Sequence, residues 1–167
     1  AVAAPFDDFH YPRIAQLTQR SNQFNLRTVR YTESEIQSLA GDDSHICLYF
    51  TLRDKFGDHG LISVVIADKG TEGDLFISEW LMSCRVLKRG MEEFVIDKIL
   101  KIAASQGFRK VIGEYIPTPK NAMVRDLYEK MGFVRVGENR FEADVAHFQY
   151  HKTFITEEQN DDKTGNF

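Results

Sequence analysis

Between Ile46 and Val86 the chain carries three β-rich apolar runs, and from Met91 the apolar residues take helical spacing. That switch of period limits the folds open to it more than any other feature. The runs are Ile46–Leu52, Leu61–Ala67 and Leu75–Val86. Lys55-Phe56-Gly57-Asp58-His59-Gly60 reads as a hairpin connection, and Asp68–Asp74, with Gly70 and Gly73, as a second turn, so the three runs form an antiparallel meander. Gly90 then opens a helix. Met91, Phe94, Val95, Ile99 and Ile102 hold one face, Ile96 and Leu100 widen it, and Gly107 ends it as a C′ glycine should. Lys110–Ile116 is a strand, which must lie parallel to the last meander strand through a right-handed crossover. Pro117-Thr118-Pro119 blocks its continuation. Asn121 is placed to cap a further helix with the stripe Val124, Leu127, Tyr128 and Met131, ended by Gly132. Phe133–Val136 and Ala146–Ile155 read as closing strands.

Ahead of the meander, Val2–Phe6 suits an edge strand and Pro12 a first helical turn, after which Ile14, Leu17, Ser21 and Phe24 keep helical spacing. Thr32-Glu33-Ser34-Glu35 has the form of a capping box before Ile36 and Leu39, and Gly41-Asp42-Asp43 stops that helix. The order is therefore β-α-α-β-β-β-α-β-α-β-β, an α/β (α+β) domain with a mixed, mostly antiparallel sheet of about seven strands. With 167 residues, 43% of them apolar, the chain can bury a core without disulfide staples. One domain is expected over 1–155, and Thr156–Phe167, with four acids against one lysine, as a flexible acidic tail. No run of about 18 apolar residues exists, so no membrane span is expected. The chain starts at Ala1 without a basic, then apolar, leader, which suggests a cut from something longer and a cytoplasmic setting in which Cys47 and Cys84 stay reduced.

The formal charge is −4, yet Arg85–Arg140 holds 12 Lys/Arg against 7 Asp/Glu. An acidic chain with a basic middle is a poor general nucleic-acid binder, but it suits a small anion or an acidic partner protein. Scattered surface charge is the plainer explanation.

The element order resembles that of the GNAT acyltransferases. Asn121-Ala122, followed by Leu127-Tyr128-Glu129-Lys130-Met131-Gly132-Phe133, is similar to the fourth-helix motif of that superfamily. A narrower resemblance is carried by Arg13–Leu26, Tyr31-Thr32-Glu33, Phe56–Leu61, Ser83–Glu92 and Gly113–Asn121, which together look like the C-terminal domain of FkbH-like proteins. That family pairs this domain with an N-terminal HAD-type phosphatase domain. It is associated with loading a glyceryl unit from 1,3-bisphosphoglycerate onto an acyl carrier protein for methoxymalonyl extender units. The chain has no Asp-x-Asp-x-Thr/Val motif, so the phosphatase half is absent from it.

The resemblance implies where a thioester would sit. In GNAT enzymes the third helix usually begins Gln/Arg-x-x-Gly-x-Gly/Ala, and its amides cradle a pyrophosphate. Here Val86, Leu87, Lys88, Arg89 and Gly90 stand in that register, with Leu87 at the polar position and Glu92 at the last small one. A carboxylate there repels a pyrophosphate. Lys88 and Arg89 could hold a single phosphate, such as that of phosphopantetheine, or be ordinary solvated charges. Asn121 completes the expected cofactor-binding set. Cys84, near the end of the third meander strand, would face the gap where that strand splays from the next. Activated by the helix start and the two cations, it would serve as a nucleophile; otherwise it is a core cysteine. Tyr128 takes the place of the general acid for a leaving thiolate, and also completes a packing stripe. Glu114 is the favoured base, because Glu79 and Cys84 fall on opposite sides of one strand. Asn22, Gln23 and Asn25 could line an acceptor site or simply serve the turn. The histidines show no ligand spacing with the cysteines, and His147 and His151 fall on an expected strand, so no metal is expected.

These readings imply an acyltransferase-like domain moving an acyl or glyceryl group to a carrier-protein thiol. The cofactor would be a phosphopantetheine thioester on the carrier or acetyl-CoA, and the partners the acyl carrier protein and, in a full-length protein, the HAD phosphatase domain. Two alternatives stand beside it: a non-catalytic GNAT-fold module that docks the carrier, and a CoA-dependent N-acetyltransferase.

Overall fold

The computed structural model describes residues 1–158. The expected order of elements is observed: β1 (Val2–Pro5), α1 (Tyr11–Arg20), α2 (Glu33–Ala40), β2 (His45–Asp54), β3 (Gly57–Lys69), β4 (Asp74–Met82), α3 (Met91–Ser105), β5 (Lys110–Glu114), α4 (Leu127–Lys130), β6 (Val134–Arg135) and β7 (Arg140–Asp144). Short 3₁₀ turns cover Cys84–Val86, Ala122–Val124 and Val145–His147. One seven-stranded sheet runs β1-β2-β3-β4-β5-β7-β6 and is antiparallel except at β4–β5.

Local chemistry sets the frame. Pro12 sits in the first turn of α1. The Thr32 hydroxyl accepts the Glu35 amide at 3.1 Å while the Glu35 carboxylate accepts the Thr32 amide at 3.0 Å, so the capping box is complete. Alternation along β3 sends Val64 and Ile66 to the face that buries Ile14, Leu17 and Ile36 of α1 and α2. Val65 and Ala67 go to the face packed on Phe94, Val95 and Ile99 of α3.

Three expectations need correction. The third meander strand ends at Met82, not Val86, because Ser83 turns out: its amide still reaches Ile62 O at 2.7 Å, but its hydroxyl caps the following 3₁₀ turn. Cys84 is therefore outside the strand, and the facing argument that set it against Glu79 does not apply. The last strand is Arg140–Asp144, with Phe141 and Ala143 inward, rather than Ala146–Ile155. Most of that second stretch wraps α3 as irregular chain. The His151 amide reaches Asp97 Oδ2 at 2.8 Å and its Nδ1 lies 2.7 Å from Oδ1. Further on, Ala1 N donates to Thr156 O at 2.8 Å and Lys98 meets Glu157 at 2.9 Å. Of the expected tail, 159–167 lies outside the described residues.

The parallel pair decides where a site can form. β4 and β5 are in register only from Asp74↔Lys110 to Ile77↔Gly113. β5 ends one residue further on, at Glu114, and Ser78–Met82 runs on without pairing to it.

Candidate active site

The strands do part, but the gap is not empty. The segment between α1 and α2 lies in it and bonds to both sides. Met82 N donates to Phe24 O at 3.1 Å, Leu26 N to Trp80 O at 3.0 Å, and Ile116 N to Leu26 O at 2.8 Å. Phe24, Asn25 and Leu26 are all buried. Arg27 anchors the next turn through Glu114 Oε1 at 3.0 Å and Ser78 O at 2.8 Å. Asn25 Oδ1 accepts the Thr28 amide at 2.7 Å and folds Thr28 to φ 55°, a strained value for a β-branched residue.

Asn121 is the fastener. It does not cap a helix with its side chain. Fully buried, its Nδ2 donates to Asn25 O and Ile116 O, both at 2.9 Å. Its Oδ1 accepts from Thr118 N at 2.8 Å and from the Tyr115 hydroxyl at 3.2 Å. A side chain expected to touch a cofactor instead ties the gap segment to the exit of β5.

Glu79 and Tyr128 line the interior beside this segment. The Glu79 carboxylate accepts the Val29 and Trp80 amides at 2.9 and 3.0 Å. Burial nevertheless outweighs those bonds and pushes its pKa up to about 7. The Tyr128 ring sits against Trp80, Phe133 and Phe141, with centroids 5.9, 5.1 and 5.7 Å away. It fills the space over Gly113, where an added Cβ would lie 2.5 Å from Cζ. Burial, then nearby Glu79, raises the phenol's pKa, and both its hydroxyl and Trp80 Nε1 are buried without a hydrogen-bond partner among the described residues. Glu114, the expected base, is half-buried and paired with Arg27.

The start of α3 is likewise occupied. Gly90 adopts φ 87° as the N-cap residue, and a Cβ on it would lie 2.7 Å from Thr153 Oγ1. Lys88 N, itself at φ 62°, donates to Glu92 Oε2 at 3.3 Å, so a carboxylate of the chain itself sits on the loop. Arg89 pairs with Asp54 at 2.9 Å. Val86 is buried, Leu87 packs on the core, and Lys88 is exposed.

Cys84 is neither sealed nor part of the core. It is exposed, and its thiol donates to Gln23 Oε1 at 3.3 Å. It lines a groove of about 770 Å³ with Arg13, Leu17, Arg20, Ser21, Asn22, Gln23, Phe24, Met82, Ser83, Pro119 and Lys120. Asn22 and Gln23 thus do meet the thiol's surroundings, whereas Lys88, Arg89, Glu114 and Tyr128 are not in this lining. The cations actually here are Arg13, Arg20 and Lys120, which the sequence reading passed over. The spacing of Arg13, Leu17 and Arg20 on one helical stripe was the available signal.

Among solved structures the chain is similar to spermidine N-acetyltransferase from Vibrio cholerae in complex with CoA and spermine, at 14% identity and a TM-score of 0.66, covering 88% of this chain and 96% of that one. It is similar to the GNAT domain of S. lividans PAT at 17% identity and 0.64, covering 85% and 89%. The ribosomal-protein-S18-alanine N-acetyltransferase from Escherichia coli gives 12% and 0.61, covering 84% and 88%. The fold is the GNAT acetyltransferase fold. No family model and no curated protein matches the sequence. Among the described residues, no helix is long and apolar enough to cross a membrane, and no group of three or more His, Cys, Asp or Glu is disposed to hold a metal ion.

Proposed function

We propose that this chain is an acyl-transfer domain that works through its own Cys84, accepting an acyl or glyceryl group and passing it to the thiol of an acyl carrier protein. The observation that carries this reading is the contrast around Cys84. The thiol is open in a cationic groove, while the β4–β5 gap and the α3 start are filled by the chain itself. The sequence resemblance to the FkbH-like C-terminal domain supplies the carrier thiol as acceptor and a HAD phosphatase domain as partner.

Cys84 first loses its proton to solvent, since Glu114 is tied to Arg27 and Glu79 to backbone amides. The thiolate attacks the donor carbonyl carbon. A C–S bond forms as the donor's C–O or C–S bond breaks, and the leaving phosphate or thiolate departs with the electron pair. The carrier thiolate then attacks the Cys84 thioester, forms its own C–S bond and returns Cys84 as thiolate. Intact-protein mass spectrometry with an acyl phosphate or thioester donor should find one adduct on Cys84 and none on Cys84→Ser. Full transfer to the carrier by Cys84→Ser would end this reading.

The filled gap also supports a second reading, a GNAT-fold module that docks the carrier without chemistry. Carrier binding that persists in Cys84→Ala, with no adduct on the parent chain, is its mark. A CoA-dependent N-acetyltransferase has the fold neighbours in its favour, and requires Phe24–Arg27 to leave the gap. Calorimetry showing micromolar binding of acetyl-CoA would select it.

A further inference from the structure

We infer that the groove around Cys84 contains a phosphate-binding subsite built from Arg13, Arg20 and Lys120, for a phosphate carried on the acyl donor or on the arm of the acceptor thiol. This inference rests on the reading of Cys84 as the acyl acceptor and adds what the site recognises.

Arg13, Leu17 and Arg20 follow one another at four and three residues, so they share one stripe of α1. Leu17 is only 7% exposed. Its burial fixes the stripe against the core and holds the two arginines at the groove. Lys120 comes from a different part of the chain, the loop that Asn121 fastens with four hydrogen bonds. The lining therefore carries three cations and no carboxylate, in a chain whose formal charge is −4.

The trio is set apart by standing together in one carboxylate-free groove; its lack of an ion pair is shared with other described cations such as Arg85, Lys88 and Arg125. Arg27, Arg53, Arg89, Lys98, Lys110 and Arg135 each have a carboxylate between 2.8 and 3.2 Å away. Among the described residues, Arg13, Arg20 and Lys120 form no ion pair, and Arg13 meets only the neutral amide of Gln16, at 2.6 Å. Leu17, Phe24, Met82 and Pro119 supply the apolar part of the lining between the exposed cations. Guanidinium groups match phosphate oxygens in pairs, and a lysine adds a third, point-like charge. A dianion with several oxygens answers three cations better than a single carboxylate does. The groove volume of about 770 Å³ also leaves room for a pantetheine-sized arm beside the ion, with the Asn22 and Gln23 amides along it.

The test follows the rate at which iodoacetamide alkylates Cys84; the other cysteine, Cys47, is buried. Two unreactive probes separate the sources of phosphate. Phosphopantetheine represents the acceptor arm, and acetonylphosphonate represents an acyl phosphate donor. At least one of them should slow alkylation, and unphosphorylated pantetheine should not. In Arg13→Gln/Arg20→Gln/Lys120→Gln, half-protection should need of the order of tenfold more probe, at an unchanged melting temperature. Equal protection by pantetheine and phosphopantetheine, no protection by either probe, or full protection in the triple variant overturns the subsite. A Cys84 adduct that forms without any protection sinks the subsite and leaves the acyl-transfer reading standing. Protection without an adduct does the reverse.

Discussion

The β4–β5 gap and the Cys84 groove share two residues, Phe24 and Met82, yet differ in almost every other respect. In the gap, backbone meets backbone, side chains are buried, and even an ionisable carboxyl is held dry. In the groove, thiol, amides and cations stand open to solvent. The strands part, and the segment Phe24–Arg27 lies between them. An acyltransferase architecture therefore does not by itself say where, or whether, a thioester is held.

The sharpest way to break the contrast is to crowd the gap. In Gly113→Ala the new methyl would overlap the Tyr128 ring. Chemical denaturation should show a loss of about 3 kcal/mol, with Cys84 alkylation in the folded protein unchanged. A matching change in Cys84 reactivity would mean that gap and groove are one site.

Glu79 gives an effect of similar size that depends on pH. Its folded pKa of about 7 lies above its ordinary 4.5, so the native state keeps a proton that the unfolded state gives up. Its contribution is complete below about pH 4.5 and falls by about 3 kcal/mol as the pH rises to about 7. Denaturation curves of the parent chain and Glu79→Gln should diverge across that window, the variant lacking this decline. Parallel curves would show that the carboxyl titrates like an exposed one.

Asn121→Ala removes the fastener and leaves the Asn25 and Ile116 carbonyls without their donor. A loss of about 2 kcal/mol is expected. If acetyl-CoA binds this variant but not the parent chain in calorimetry, the gap is a latent cofactor cleft and the contrast is one of occupancy rather than design. Tyr128→Phe should have the smallest effect. It deletes a buried hydroxyl that has no partner among the described residues, so stability should hold or rise by about 1 kcal/mol, and acyl transfer should be unchanged. A marked loss of transfer in a fully folded variant would return Tyr128 to catalysis.

The architecture was legible because period-two and helical spacing alternate cleanly from Ile46 onward, and because Thr32 and Glu35 announce a helix start. Arg140-Phe141-Glu142-Ala143-Asp144 alternates, but so does the longer stretch that begins Ala146-His147-Phe148-Gln149-Tyr150-His151, and periodicity alone does not choose between them. Only the structure shows that His151, midway along that stretch, is fastened to Asp97. In the site, Cys84 could be singled out from its place before Gly90, but its exposure depends on the turn at Ser83. The filling of the gap was not legible at all. It rests on pairings between residues far apart in the chain, such as Asn25 with Asn121, which no local pattern announces.

That last pairing spans 96 residues. The β2–β3–β4 meander closes short loops and can assemble early, whereas the Asn25–Asn121 clasp must wait until β5 and the loop beyond it have docked. Sealing of the sheet's open fork is thus expected among the last steps of folding. Pulsed hydrogen exchange should find the Leu26 amide protected after those of β3, and simultaneous protection would refute that order.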